Sequence, residues 1–130
     1  QKYYNSHPNL ISQYLLGEYL KNNLIESEIK HKSKIIQQKR HEFKKNLSSK
    51  IKIHLSKTDG GFYFWLKLPP QCSSVKVFKE LLSHGVIVIP GDLYFSNDPY
   101  PALRFSISLI DKEKIKEGCQ IINRILEKYV

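Results

Sequence analysis

The stretch ALRFSIS, Ala102–Ser108, constrains the fold more tightly than any other part of the chain, because its polarity repeats with a period of two. Leu103, Phe105, Ile107 and Leu109 fall on one face, and Ala102, Arg104, Ser106 and Ser108 on the other. The apolar face reads as core. The opposite face carries small side chains around one guanidinium, which leaves space beside the charge. That group offers five N–H donors in a planar fork and stays protonated. Two readings of Arg104 stand open on the residues alone. It forms an ion pair with a helix carboxylate such as Glu113 or Glu117, or it receives an anionic ligand.

The rest of the chain supplies elements to cover the apolar face. NSHPN (Asn5–Asn9) is a turn ahead of a helical stretch, which Gly17 and then KNNL (Lys21–Leu24) interrupt. Ser27 can cap a long second helix with Ile25, Ile29, Ile36, Phe43 and Leu47 on one stripe. KIKIHL (Lys50–Leu55) alternates as a strand, KTDGG (Lys57–Gly61) has the composition of a hairpin turn, and FYFWLKLP (Phe62–Pro69) is the partner strand. Ser74 caps a short helix with Val75, Phe78, Leu81 and Leu82 inward, closed by Gly85. VIVIP (Val86–Pro90) reads as a buried strand, and GDLYFSNDPYP (Gly91–Pro101) as a loop. Asp111 caps a last helix with Ile115, Cys119, Ile122, Leu126 and Tyr129 on one stripe. The class is α+β: a small, mainly antiparallel sheet covered by helices, with a long N-terminal helix.

Composition sets limits on function. An apolar share of 41% and 12% aromatics exclude a disordered chain. No apolar run is long enough to span a membrane, and no signal peptide precedes the first helix. At 130 residues, opening on Gln1, the chain reads as one domain excised from a larger protein. Cys72 and Cys119 lie far apart without metal-site spacing, which favours a reducing, cytoplasmic setting and free thiols. The net charge of +9 raises the question of nucleic acid. In the long helix, however, Lys30, Lys32, Lys34, Lys39, Arg40, Lys44 and Lys45 scatter around the exposed sides with Glu28 and Glu42 among them, as on a solvated helix.

Other constellations are weaker. The five histidines share no ligand spacing with cysteines or carboxylates, so no metal site is expected. Ser56-Lys57-Thr58 mimics the surroundings of a Schiff-base lysine, but such a lysine needs a desolvated pocket. Lys57 stands at a turn before Asp59-Gly60-Gly61 and reads as turn chemistry. Phe62, Tyr63, Phe64 and Trp65 are either a stacking platform for bases or half-buried packing.

GGFYFWLKLP, GVIVIPGDLYF and LRFSIS, in that order, resemble the C-terminal small domain of fold-type I, pyridoxal-phosphate-dependent aminotransferases. The likeness points to α-aminoadipate-type aminotransferases and to the aminotransferase-like half of GntR/MocR-type transcriptional regulators. It implies that Arg104 binds the α-carboxylate of an amino-acid substrate or effector, a role suited to a bidentate fork. It implies that Gly60, Gly61, Pro90, Gly91 and Phe95 line the cleft. It also implies pyridoxal 5′-phosphate in the parent protein, held by a large domain absent from this chain, and a homodimeric parent. Neither a catalytic nor a cofactor-binding residue is expected among these residues. In the long helix the family's polar pattern is replaced by Glu28-Ile29, Ser33, Ile36 and Lys39-Arg40-His41, which leans the reading towards a regulator that binds DNA through an upstream domain. The alternatives are a true amino-acid aminotransferase and a stand-alone basic nucleic-acid-binding module.

Overall fold

The computed structural model describes residues 9–94 and 99–130. Its elements are α1 (Leu10–Lys21), α2 (Leu24–Asn46), α3 (Ser49–Lys52), β1 (Tyr63–Lys67), α4 (Ser74–Ser83), β2 (Ile89–Pro90), a 3₁₀ turn (Gly91–Tyr94), β3 (Ala102–Ser106) and α5 (Lys112–Leu126). The three strands form an antiparallel sheet in the order β1-β3-β2. The α+β expectation therefore holds. No helix among the described residues is long and apolar enough to cross a membrane.

Two compact units divide the chain, Gln1–Ile35 and Ile36–Val130. In the first, Asn9 caps α1 by accepting from the Ile11 and Ser12 N–H groups. The helix passes through Gly17 without a break, since one glycine costs only about 1 kcal/mol in a helix. It ends where Asn22 closes on the Glu18 carbonyl and Asn23 takes a left-handed φ of 56°. No side chain of α1 is buried. Ser27 does not cap α2, which begins at Leu24; its hydroxyl donates to the Leu24 carbonyl within the first turn.

The second unit holds the core. Leu103, Phe105 and Ile107 on and just after β3 and Phe64 and Leu66 on β1 are buried, together with Phe43 and Leu47 at the end of α2 and the α5 stripe Ile115, Cys119, Ile122 and Leu126. Phe43 stacks on Phe64 with centroids 4.6 Å apart and leans on Phe105 at 5.7 Å. Both alternating strands thus turn their apolar faces to the helices.

Further local expectations are corrected. Lys50–Leu55 is not a strand. In a strand Ile51 and Ile53 would share a face, yet Ile51 is buried while Ile53 is 78% exposed. The short α3 brings Ile51 to the core, and Asn123 of α5 fixes the corner: it accepts from the Ser48 N–H and donates to the Asn46 carbonyl, both at 2.9 Å. What survives of the pairing is the bridge Leu55–Leu66, flanked by Ser56 N–H to the Trp65 carbonyl and Lys67 N–H to the His54 carbonyl. In α4 the cap is Ser73, not Ser74. Leu81 is buried as expected and Phe78 packs partly against the core, but Val77 takes the inward place expected of Val75 and Leu82, which are exposed. Of Val86–Pro90 only Ile89–Pro90 pairs with β3. Leu109, at 94% exposure, lies beyond the end of β3 and outside the core.

Both cysteines are free thiols, Cys72 half-buried and Cys119 buried. Burial, with a smaller contribution from Glu42, pushes the Cys119 thiol from 9.0 up to about 12. Above pH 9 the unfolded chain gives up this proton while the folded chain keeps it. The contribution of Cys119 to stability is therefore complete below pH 9 and is lost as pH rises towards 12. A maleimide at neutral pH is expected to label Cys72 in the native chain and Cys119 only after denaturation. Peptide mass spectrometry reads the difference; native labelling of Cys119 would contradict the packing described.

Candidate functional site

The face of the sheet turned away from the helices is built by register. Trp65 of β1 and Ile89 of β2 are the partners of Arg104 on β3, and Tyr63 is the partner of Ser106. Side chains at these positions share one side of the pleat. The Arg104 guanidinium carbon lies 4.3 Å from the Tyr63 ring centroid and 4.8 Å from that of Tyr94, both within cation–π range. Trp65 meets Tyr94 edge-on at 5.9 Å, and its indole N–H donates to the Tyr100 hydroxyl at 3.1 Å. The Lys67 ammonium sits 4.8 Å from the Tyr100 ring. The result is a half-buried cation in a patch of aromatic rings.

No ion pair to Glu113 or Glu117 forms. Both carboxylates are on α5, which packs against the apolar face of the sheet, the wrong side for Arg104. Among the described residues the Arg104 guanidinium makes no hydrogen bond and no ion pair, so its in-plane donors are uncommitted.

Gly91 belongs to this face because nothing larger fits. A Cβ there would stand 2.7 Å from the Ala102 Cβ and 2.9 Å from the Trp65 ring. This close approach is why Ala102, on the polar side of β3, is nevertheless fully buried. Pro90 pairs with Leu103, beside the Ile89–Arg104 pair. The 3₁₀ turn that follows is pinned by the buried Ser74 hydroxyl, 2.6 Å from both carboxylate oxygens of Asp92. Gly91→Ala is expected to cost roughly 1–3 kcal/mol through overpacking and to change Trp65 fluorescence. An unchanged unfolding midpoint and emission spectrum would contradict the close contact.

The loop into β1 is held from below by a residue missing from the site expected on sequence grounds. Arg40, expected on a solvated helix, is only 3% exposed. It donates to the Thr58 carbonyl at 2.6 Å, the Thr58 hydroxyl at 2.7 Å and the Gly61 carbonyl at 3.1 Å, and its guanidinium carbon lies 4.5 Å from the Phe64 ring centroid. Gly61 takes φ +82°, a conformation that strains any L side chain. Gly60 and Gly61 are exposed at the head of β1, just before Tyr63. They lead into β1 at Tyr63, whereas Gly91 packs directly on Trp65 and Ala102; Pro90, the partner of Leu103, falls on the opposite side of the pleat from Arg104. Phe95 lies outside the described residues.

Every described lysine is exposed, Lys57 included, except half-buried Lys39, which donates to the Ser108 carbonyl at 2.8 Å. None sits in the desolvated pocket that a covalent cofactor requires. Phe64 is core, so the aromatic run is no continuous stacking platform: Tyr63 and Trp65 face Arg104, and Phe62 is exposed. No group of three or more His, Cys, Asp or Glu residues that could hold a metal occurs among the described residues.

The model of class I and II aminotransferases matches residues 2–122. The chain belongs to this family. It is 26% identical over 124 residues to the 2-aminoadipate transaminase of Thermus thermophilus, a match covering 93% of this chain and 31% of that enzyme. Among solved structures, the α-aminoadipate aminotransferase of the same species, complexed with N-(5′-phosphopyridoxyl)-L-leucine, aligns with a TM-score of 0.75 and 25% identity over 95% of this chain and 32% of that one. The kynurenine aminotransferase of Pyrococcus horikoshii aligns with a TM-score of 0.75 over 85% of this chain and 28% of that one; at 22% identity this is a likeness of fold. The chain thus spans about a third of the length of these relatives.

Proposed function

We propose that this chain is the small, substrate-side domain of a pyridoxal-phosphate-dependent aminotransferase, and that Arg104 receives the α-carboxylate of the amino acid. The observation that carries the reading is the guanidinium on the face turned away from the core, against the Tyr63 and Tyr94 rings, with its donors uncommitted to any other described residue. A carboxylate accepts two parallel N–H bonds from such a fork, and the aromatic surroundings lower the local dielectric in which the pair forms. In this reading Gly91, packed on Trp65 and Ala102, contributes one wall beside it, and the Gly60-Gly61 turn leads into another.

The cofactor supplies the bond-breaking chemistry when bound. The described lysines of this chain do not fit its covalent attachment, which the reading assigns to the large domain of the complete protein. The contribution here is to bind the carboxylate and orient the substrate. The complete protein is read as a homodimer in the cytoplasm.

The named relatives are transaminases, which supports an enzyme better than the GntR/MocR-type regulator favoured by the altered polar pattern of α2. A regulator would use the same receptor to sense an amino acid and pass domain closure to an upstream DNA-binding domain. The two are separated by incubating the complete, cofactor-loaded protein with an amino acid and a 2-oxo acid. Amino-group exchange supports the enzyme. Spectral response without exchange, together with ligand-dependent DNA binding, supports the regulator. For this chain alone, binding to duplex DNA is expected to be weak, indifferent to sequence and lost steeply between roughly 50 and 200 mM salt. A sequence-preferring complex that survives such salt would favour the nucleic-acid-binding reading instead.

A further inference from the structure

We infer that Tyr63 and Tyr94 are positioning residues: they hold the Arg104 guanidinium so that its N–H edge, rather than its ring-covered surface, meets the incoming carboxylate. This deepens the carboxylate-receptor reading of Arg104 and rests on it.

The starting point is a mechanical problem. An arginine on a strand has a long, flexible stem, and a bidentate pair forms only when the fork lies in the plane of the carboxylate. A guanidinium with no fixed partner gives up that freedom at the moment of binding, which weakens the complex. Here two rings approach the same guanidinium carbon, at 4.3 and 4.8 Å. Cation–π attraction places a planar cation against ring faces and leaves the in-plane donors for a stronger acceptor. The rings fix orientation without consuming hydrogen bonds, which a carboxylate partner from the protein would have consumed.

Each tyrosine is itself held by a separate device. Tyr63 opens β1 directly after the loop that buried Arg40 ties down through Thr58 and Gly61. Tyr94 ends the 3₁₀ turn that the Ser74–Asp92 bond and the close packing of Gly91 fix in place. Trp65 meets the Tyr94 ring edge-on at 5.9 Å. At 47% and 49% exposure the two tyrosines contribute little to the core, so packing does not account for their placement. The arrangement suits an oxyanion that presents two oxygens edge-on to the fork, as a carboxylate does.

The test uses this chain, ¹⁵N-labelled at arginine, with sodium acetate as the probe. In the wild type the Arg104 Nε–H resonance is expected to carry a ring-current displacement and to shift further on titration with acetate, more strongly than with chloride at equal ionic strength. Tyr63→Leu combined with Tyr94→Leu is expected to remove the ring-current displacement and to weaken acetate binding about tenfold. Tyr63→Phe with Tyr94→Phe keeps the rings and is expected to restore both, which a structural role of the hydroxyls would not. Acetate affinity within about twofold of wild type in the double leucine variant, with Arg104 reorienting freely, overturns the inference. Failure of the underlying reading looks different: acetate moves no variant, wild type included. The positioning claim is then judged by the resonance alone, supported if the leucine variant loses the displacement and overturned if the variant keeps it.

Discussion

Arg40→Ala is expected to destabilise the Ile36–Val130 unit by about 3 kcal/mol, the largest effect of any polar substitution in it. The side chain is 3% exposed and carries hydrogen bonds to two backbone carbonyls and one hydroxyl. Truncation leaves those acceptors facing a cavity and removes the cation from the Phe64 ring. Because Arg40 forms no ion pair with any carboxylate of the described residues, the loss is one of satisfied carbonyls and packing. Arg40→Met should therefore recover part of the stability by filling the space, and Arg40→Lys should recover less than charge alone suggests, since one ammonium cannot span Thr58 and Gly61. Urea unfolding followed at Trp65 checks this. The midpoint should fall with an unchanged slope, and amide exchange should rise first in residues 56–62. A cost of Arg40→Ala under about 0.5 kcal/mol, as for an ordinary surface residue, would contradict it.

The elements most legible in the sequence are those whose pattern and environment agree. β3 and the stripe of α5 are one-sided in the sequence and one-sided in the fold, and the open face around Arg104 is visible from alternation alone. The sequence misleads where a distant contact decides between local options. Ser73 and Ser74 are equivalent as caps until Asp92, far along the chain, claims the second hydroxyl. Lys50–Leu55 alternates well enough to be a strand, but Asn123 ties its start into a helical corner. Arg40 does carry a local signal. Ile36, Arg40, Phe43 and Leu47 are spaced by four, three and four, so the arginine falls on the apolar stripe of α2, where a solvated charge does not belong. Tyr94 carries none, since its meeting with Arg104 depends on a turn fixed by Gly91 and Ser74. The place of Arg104 on the face opposite the core follows from a period of two, and the residues around it from tertiary contacts that no local pattern encodes.

The most direct measurement of the central claim compares ligand binding with stability in Arg104 variants of the complete, cofactor-loaded protein. Arg104→Ala removes both charge and fork; Arg104→Lys keeps the charge and loses the paired geometry. Loss of a charge-assisted bidentate pair should weaken amino-acid binding by about 2 kcal/mol or more, roughly thirtyfold, with Arg104→Lys falling between the two. The amine analogue of the same amino acid, which lacks the carboxylate, should bind wild type and Arg104→Ala equally. Thermal stability should hardly change, because the guanidinium spends no hydrogen bond on the described fold. Calorimetric titration and thermal unfolding on the same samples give both numbers. The account predicts a roughly thirtyfold loss of affinity at an unchanged melting temperature; normal amino-acid affinity in a protein whose melting temperature has fallen by several degrees would show that Arg104 is structural and would contradict it.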